Sequence, residues 1–216
     1  MESSDLTETG TMRHVVYDRF GERDVLRVTE SPIPQPGEGE VLVRVHGAGL
    51  NPIDWKTRKG MGFVATQIEN SLPWTPGYDA AGEVVDVGEG VTTLVPGDRV
   101  MGMIGFPVTG GAYAEYAIAD AEDLAIVPEE LDLIAAAGVP LAALTAWQAL
   151  FEVAELESGQ KILIHAGAGG VAKTDKTSFR QRQRFRAIGI ALTGDIAGAK
   201  AAGNFCCAPN QCLGAN

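Results

Sequence analysis

Late in the chain an apolar run, Lys161-Ile162-Leu163-Ile164-His165, leads directly into Ala166-Gly167-Ala168-Gly169-Gly170-Val171-Ala172. Gly167-x-Gly169-x-x-Ala172 fits the spacing G-x-G-x-x-G/A, whose chemistry is dinucleotide binding. The first glycine permits a tight turn, the second lets backbone amides approach a pyrophosphate, and the third small residue lets a helix pack close to the strand. The phosphates would sit at the helix N-terminus, where free N–H groups and the dipole favour anions. A glycine-rich turn after a strand is also often only a turn, so the motif needs a strand before it and an amphipathic helix after it.

Other reactive side chains form no such pattern. Cys206, Cys207 and Cys212 all fall in the last eleven residues. Their spacing matches no standard ligand set, and the cysteine-free body cannot carry a disulfide framework. His14, His46 and His165 are scattered and read as ordinary strand residues. No metal site is expected.

The elements that must position the loop change character near Pro128. Before it, short β-type runs alternate with turns: His14–Tyr17, Val25–Val28, Val41–His46, Ala80–Val87, Arg99–Met103 and Ala112–Ala117. Many short strands at this spacing predict a compact, partly closed β-domain. After it, Leu131–Ala137 and Leu141–Leu156 have the length and Ala/Leu content of helices, meeting at Gly138-Val139-Pro140 and expected to be buried. Strand Lys161–His165 and the glycine loop then open an α/β unit. The fold class is therefore α/β overall, a β-domain followed by the start of a nucleotide-binding one.

Charge separates the body from the tail. The 216 residues carry a formal net charge of −11, yet residues 1–172 hold 10 Lys/Arg against 26 Asp/Glu, and residues 173–216 hold 7 against 2. So acidic a body repels phosphate backbones, which excludes nucleic acid as a main partner. The first twenty residues have no apolar core, and Leu133–Phe151 is broken by Gly138, Pro140, Thr145 and Gln148. Neither a secretory signal nor a membrane span is expected, and the cytoplasm is the default location. Residues 1–11 are polar and expected to be loose.

The tail lacks what the glycine loop requires. Lys173 to Arg186 contains six Lys/Arg in fourteen residues, with only Phe179 and Phe185 large and apolar. That composition supplies no apolar helix face to lay on a sheet. The preferred reading makes residues 173–216 foreign to the fold. The lesser one makes Ala187–Leu192 a second strand, with Asp195 as the acidic residue that binds a ribose.

An ordered series of segments then identifies a resemblance. It comprises Gly49-Leu50-Asn51-Pro52-Ile53-Asp54-Trp55-Lys56, Pro76-Gly77-Tyr78-Asp79-Ala80-Ala81-Gly82-Glu83-Val84, Gly88–Val91 with Pro96-Gly97-Asp98-Arg99-Val100, Gly110-Gly111-Ala112-Tyr113-Ala114-Glu115-Tyr116, Leu141–Leu150, and the Gly167 loop. Over about residues 12–172 the chain resembles the zinc-independent, quinone-oxidoreductase-like branch of the medium-chain dehydrogenase/reductase superfamily. The resemblance implies a GroES-like β-barrel domain over residues 12–130. Connecting helices, a first strand and the glycine loop of a Rossmann domain would occupy 131–172. It further implies hydride transfer from NADPH to a quinone or a conjugated enone or alkenal, in the cleft between the two domains.

Individual residues carry over by position. Asn51, Asp54, Trp55 and Lys56 align with the segment lining the nicotinamide and substrate cleft. Asn51 could hold a carboxamide or a substrate carbonyl, and Lys56 or a water could stabilise developing oxyanion charge, which makes Asn51, Asp54 and Lys56 the catalytic candidates. The structural alternative is that Asn51-Pro52 starts a turn, Asp54 caps a helix and Trp55 packs. Thr145 is carried over as a nicotinamide contact, or else it is a back-bonded helical hydroxyl. Gly167, Ala168, Gly169, Gly170 and Val171 would cradle the pyrophosphate. Tyr78 could donate a proton but reads better as a core aromatic. The metal-dependent branch has a Cys at the position of Asn51 and Gly-His-Glu at that of Gly77-Tyr78-Asp79, so no zinc is expected.

The resemblance stops at Val171-Ala172, whereas family members continue for well over a hundred residues. The expectation is a longer enzyme interrupted by a frameshift, a mis-joined frame or an insertion. On that reading the Rossmann domain is incomplete, and the alternative to an oxidoreductase is a non-catalytic remnant. Relatives often pair through a Rossmann sheet edge missing here, so the resemblance implies a homo-oligomer for the full-length family and leaves the oligomeric state of this chain open.

Overall fold

The computed structural model describes residues 10–157, 161–164, 169–171 and 186–189. The chain divides into two compact units between Leu141 and Ala142. In the first, β1 (Thr11–Val16) and β2 (Arg27–Pro32) form an antiparallel hairpin. A five-stranded antiparallel sheet follows, built from β3 (Glu40–Ala48), β4 (Asp79–Val87), β5 (Arg99–Met103), β6 (Tyr116–Asp120) and β7 (Leu124–Ile126) in the order β6-β3-β4-β5-β7. The hairpin prolongs this sheet, because Val15 N–H donates to Tyr113 O and Glu115 N–H to Arg13 O, just ahead of β6. No pair among the described residues joins β6 to β7. The expected barrel is therefore an open sheet in its hydrogen bonding.

Three expected strands lie where the β-type runs placed them, and the exceptions have local causes. Val41, Leu42 and Val43 are all buried, so β3 is covered on both faces rather than alternating. The expected run Ala112–Ala117 begins late, at Tyr116. Ala112 and Tyr113 instead send their N–H groups to Gly77 O and Pro76 O, so pairing with β1 begins only around Ala114. The expected strand Val25–Val28 starts only at Arg27, since Arg23–Val25 is a 3-10 turn. β2 then runs on through Ser31 and Pro32, which a strand with a single partner accommodates.

The core holds two main apolar clusters. Val41, Val43, Val84, Leu94 and Val100 fill one. Tyr17, Val64, Ile68, Trp74 and Tyr78 fill the other, each large side chain contributing about 1.5–3 kcal/mol on burial. The second cluster rests on α1 (Pro52–Arg58) and α2 (Phe63–Ile68). Helix α2 is too short to show an apolar period in the sequence. Pro52 stands at the start of α1, where its missing N–H costs nothing.

Helix α3 (Leu133–Ala136) is shorter than expected and is capped by Asp132, whose side chain accepts from Ala135 N–H at 3.0 Å. It buries Leu133 and Ala136 against Ala81 and Val127, within the first unit. Helix α4 (Pro140–Trp147) gives way to a π-helical stretch, Gln148–Val153, where one continuous helix to Leu156 was expected. Its burial is also less than expected, with Leu144 and Trp147 exposed.

In the second unit Trp147 and Phe151 meet in a tilted arrangement with ring centres 4.6 Å apart. β8 (Lys161–Ile164) and β9 (Arg186–Gly189) pair in parallel, Lys161 opposite Arg186 and Ile164 opposite Gly189. A parallel partner thus stands where only the lesser reading of the tail had a strand. Residues 1–9, His165, the three cysteines and Asp195 lie outside the described residues. Among the described residues no helix is long and apolar enough to cross a membrane.

Candidate functional site

Two helix starts and one strand start meet in the first unit. Asn51 precedes α1 with extended backbone, and its N–H donates to Asp54 Oδ2 at 2.7 Å. This is the reach-back by the third helical residue that closes an N-terminal turn. The Asn51 side chain turns to a different carboxylate: Nδ2 donates to Asp79 Oδ2 at 2.9 Å. The other oxygen of Asp79 accepts from Leu141 N–H at 2.9 Å, near the start of α4. A negative charge there is favoured by the free N–H groups and the dipole of that helix.

Tyr113 completes the group. Its hydroxyl donates to Asp54 Oδ2 at 3.0 Å, while Asp54 Oδ1 is buried with no partner among the described residues. Tyr113 fits beside Gly77, which holds φ +97°; a Cβ on Gly77 would run into the Tyr113 ring. Gly82 on β4 is likewise fixed by a close approach, since a Cβ there would meet the Arg44 carbonyl.

Both carboxylates are buried, and burial governs their titration. Asp79, 1 % exposed, is pushed up to about 6 by loss of solvent, against the pull of the Asn51 and Leu141 donors and with a further push from the Asp54 charge. Asp54 is also raised by burial, partly offset by bonds from Asn51, Tyr113 and Gly77. Tyr113 is raised as well, by burial first and then by the Asp54 charge.

The expected site residues separate in this geometry. Asn51 and Asp54 come together. Asp54 holds the helix-capping arrangement, bonded inward to Asn51 and Tyr113. Lys56 is exposed, its Nζ 5.7 Å from the centre of the Trp55 ring, with Lys59 Nζ at 5.8 Å from the same ring. Lys56 makes no side-chain bond to Asn51, Asp54 or Asp79 among the described residues. Trp55, 44 % exposed, carries these cations and is not packed inside.

Tyr78 is fully buried and its hydroxyl donates to Pro107 O at 2.8 Å, as a core aromatic does. His14 Nδ1 lies 2.8 Å from Thr75 Oγ1. An open groove of about 540 Å³ adjoins Leu50 and Tyr113 and is lined by Val28, Val45, His46 and Ala114, without Asn51, Asp54 or Lys56.

The nucleotide candidates belong to the second unit. Thr145 is half-buried on α4. Gly167 and Ala168 lie outside the described residues. Gly169 is a bend, and Gly170 and Val171 begin a helical turn soon after β8. Among the described residues no three His, Cys, Asp or Glu side chains gather as a metal site.

Asp79 and Tyr113 were missed as site residues, although both stand in the segments that carry the resemblance. The signal available was an acidic residue directly ahead of the small-residue run Ala80-Ala81-Gly82, at the head of a buried strand. Such a charge in a buried run needs partners.

Known proteins share this arrangement of segments. Residues 37–129 match the alcohol dehydrogenase GroES-like domain. The chloroplastic quinone-oxidoreductase QR1 of Triphysaria versicolor is 40% identical over 168 residues, covering 75% of this chain and 50% of that protein. The chloroplastic NADPH-dependent alkenal/one oxidoreductase of Arabidopsis thaliana is 39% identical over 175 residues, 78% of this chain and 44% of that one. The solved quinone oxidoreductase from Coxiella burnetii superposes with a TM-score of 0.75 at 41% identity, over 83% of this chain and 56% of that chain. The chain spans about half the length of the curated relatives it matches. With its GroES-like sheet and the segments around Asn51, Asp79 and Tyr113, the chain belongs to the medium-chain dehydrogenase/reductase superfamily, in its quinone-oxidoreductase-like branch.

Proposed function

We propose that this chain contributes to an NADPH-dependent oxidoreductase that reduces a quinone or a conjugated enone or alkenal without zinc. The observation that carries the reading is the anchored Asn51 amide, held by Asp79 at 2.9 Å at the head of α1. A fixed amide can donate to a carbonyl oxygen as negative charge develops on it, and a preorganised donor needs no rearrangement as the reaction proceeds. Relatives named as quinone and alkenal/one oxidoreductases support the substrate class.

The residues present suit the cofactor. The start of a helical turn at Gly170, soon after β8, suits approach of a pyrophosphate to backbone amides. Two parallel strands flanking that turn suit the opening of a Rossmann domain. Gly167, Ala168, Gly169, Gly170 and Val171 would hold the phosphates, and Thr145 the nicotinamide carboxamide. Bound NADPH would supply the hydride. Asn51 would hold the substrate oxygen, while Asp54 and Tyr113 keep the start of α1 in place. Asn51, Tyr78 and Asp79 offer neither thiolate nor imidazole, which supports chemistry without zinc.

The test is NADPH titration of the 216-residue chain, followed by the fluorescence of Trp55, Trp74 and Trp147. Saturable micromolar binding, then turnover with quinones and enones, is the expected result. No binding up to millimolar NADPH would overturn the reading for this chain and favour a non-catalytic remnant.

A further inference from the structure

We infer that Asp79 is a positioning residue for Asn51, and that its ionised carboxylate dictates which end of the Asn51 amide is turned inward. The inference rests on the proposed reaction for its purpose, though not for its geometry. An ionised carboxylate only accepts hydrogen bonds, so the amide must present Nδ2 to it and not Oδ1. The 2.9 Å contact between Nδ2 and Asp79 Oδ2 has that polarity.

The arrangement is held from every side. Asp79 cannot swing away, because its Oδ1 is bound by Leu141 N–H. Its backbone is paired to Met103 across β5, and its carbonyl accepts from Gly49 N–H at 2.9 Å. Gly49 leaves the room required, since a Cβ there would lie 2.8 Å from Asp79 Cβ. The main chain of Asn51 is fixed in turn by Asp54. With both backbones held, the remaining freedom of Asn51 is rotation of the amide, and Asp79 removes it. A fixed amide offers a ligand one pattern of donor and acceptor.

Protonation would reverse the constraint. A neutral Asp79 can donate from Oδ2 to Asn51 Oδ1, so the amide can turn by half a rotation and keep one hydrogen bond. The groups facing Asp79 are the Asp54 carboxylate on α1, the Tyr113 hydroxyl ahead of β6, and the Leu141 N–H of α4. Burial and the Asp54 charge place this change at about pH 6.

Nuclear magnetic resonance tests it on the chain as it stands. There are five asparagines, so nitrogen-15 labelling of asparagine gives few side-chain signals, and Asn51→Ser identifies the pair belonging to Asn51. That pair should move cooperatively between pH 5 and 8 with a midpoint near 6, and should stop doing so in Asp79→Asn. No movement in the unaltered chain, or the same movement in Asp79→Asn, would overturn the inference. If Asp79→Asn does not fold, Asp54→Asn decides. Retention of the transition at lower pH supports Asp79, because the Asp54 charge raises it, and loss of the transition refutes it. The readout needs no NADPH and no turnover. A failed activity assay therefore condemns the proposed reaction, and a flat titration condemns the positioning.

Discussion

Asn51 Nδ2 donates to Asp79 Oδ2 at 2.9 Å, and this bond ties the first turn of α1 to the first residue of β4. Through its second oxygen the same carboxylate holds Leu141, near the start of α4. A single buried group therefore fixes three chain segments far apart in sequence. Its ionisation has a cost, because burial disfavours the charged form more than two neutral donors favour it. That imbalance makes the site pH-sensitive.

Asp79→Asn should accordingly stabilise the fold at high pH and lose that advantage at low pH. The carboxyl titrates at about 6 in the fold, against about 3.9 in an unfolded chain. The native state therefore binds this proton more tightly. Its contribution to stability is full below the unfolded value and is lost as pH rises through the native one. The full linkage is about 3 kcal/mol, reduced by the charge-assisted bonds that the amide gives up. Urea unfolding at pH 4.5 and 8 should show a gain of about 1–2 kcal/mol at the higher pH only. An equal loss at both would mean that the charge contributes more than its burial costs.

Tyr113→Phe should have the opposite sense. The hydroxyl donates to Asp54 Oδ2 at 3.0 Å, inside a buried group whose Oδ1 already lacks a partner. Removing a donor from a buried carboxylate costs about 1–3 kcal/mol. It also raises the native pKa of Asp54 further, so the loss should be larger at pH 8 than at pH 5. A loss independent of pH would assign the effect to packing and not to the hydrogen bond.

Strands β3, β4 and β5 were legible because Val41–His46, Ala80–Val87 and Arg99–Met103 are bounded by turn residues and must satisfy a ladder. Residues 112 and 113 were misread because their N–H groups bond to Gly77 and Pro76, some 36 residues away in the sequence, and no local pattern reports that. Helix α2 was missed because its buried Val64, Ala65 and Ile68 span barely one turn. Asn51 and Asp54 were visible through their residue types and neighbours. Asp79 was quoted only as part of a matching segment, since its meaning comes from Asn51 and Leu141, which no spacing rule connects to it. Parallel β9 was undervalued because the basic stretch before it supplies no apolar helix face.

Gly77→Ala tests how closely this group is built. Its φ of +97° disfavours any side chain, and the new Cβ would enter the Tyr113 ring and lie 3.0 Å from Ala112 Cβ. Backbone strain of about 1–3 kcal/mol and overpacking of a similar size should combine to about 3 kcal/mol or more. Because the ring must shift, the Tyr113 hydroxyl should also leave Asp54. The double variant with Tyr113→Phe should then lose less than the two single losses added. Strict additivity would show that the ring moves without breaking its bond.

Lys56→Gln asks whether the exposed face of α1 takes part in chemistry. Lys56 Nζ is held over Trp55 at 5.7 Å and makes no side-chain bond to the Asn51–Asp79 pair among the described residues. Its removal should change unfolding free energy by about 0.5–1 kcal/mol at most, the size of an exposed cation–π contact. The Trp55 emission should shift, because one of the two ammonium groups over its ring is gone. NADPH-dependent turnover should stay within about twofold, since a group worth a tenfold rate must stabilise the transition state by about 1.4 kcal/mol. A loss of tenfold or more in kcat at unchanged stability would instead place the ammonium against developing oxyanion charge. In that case Lys56 would have to leave Trp55 when substrate binds, and the Trp55 shift in the unaltered chain would appear on addition of substrate.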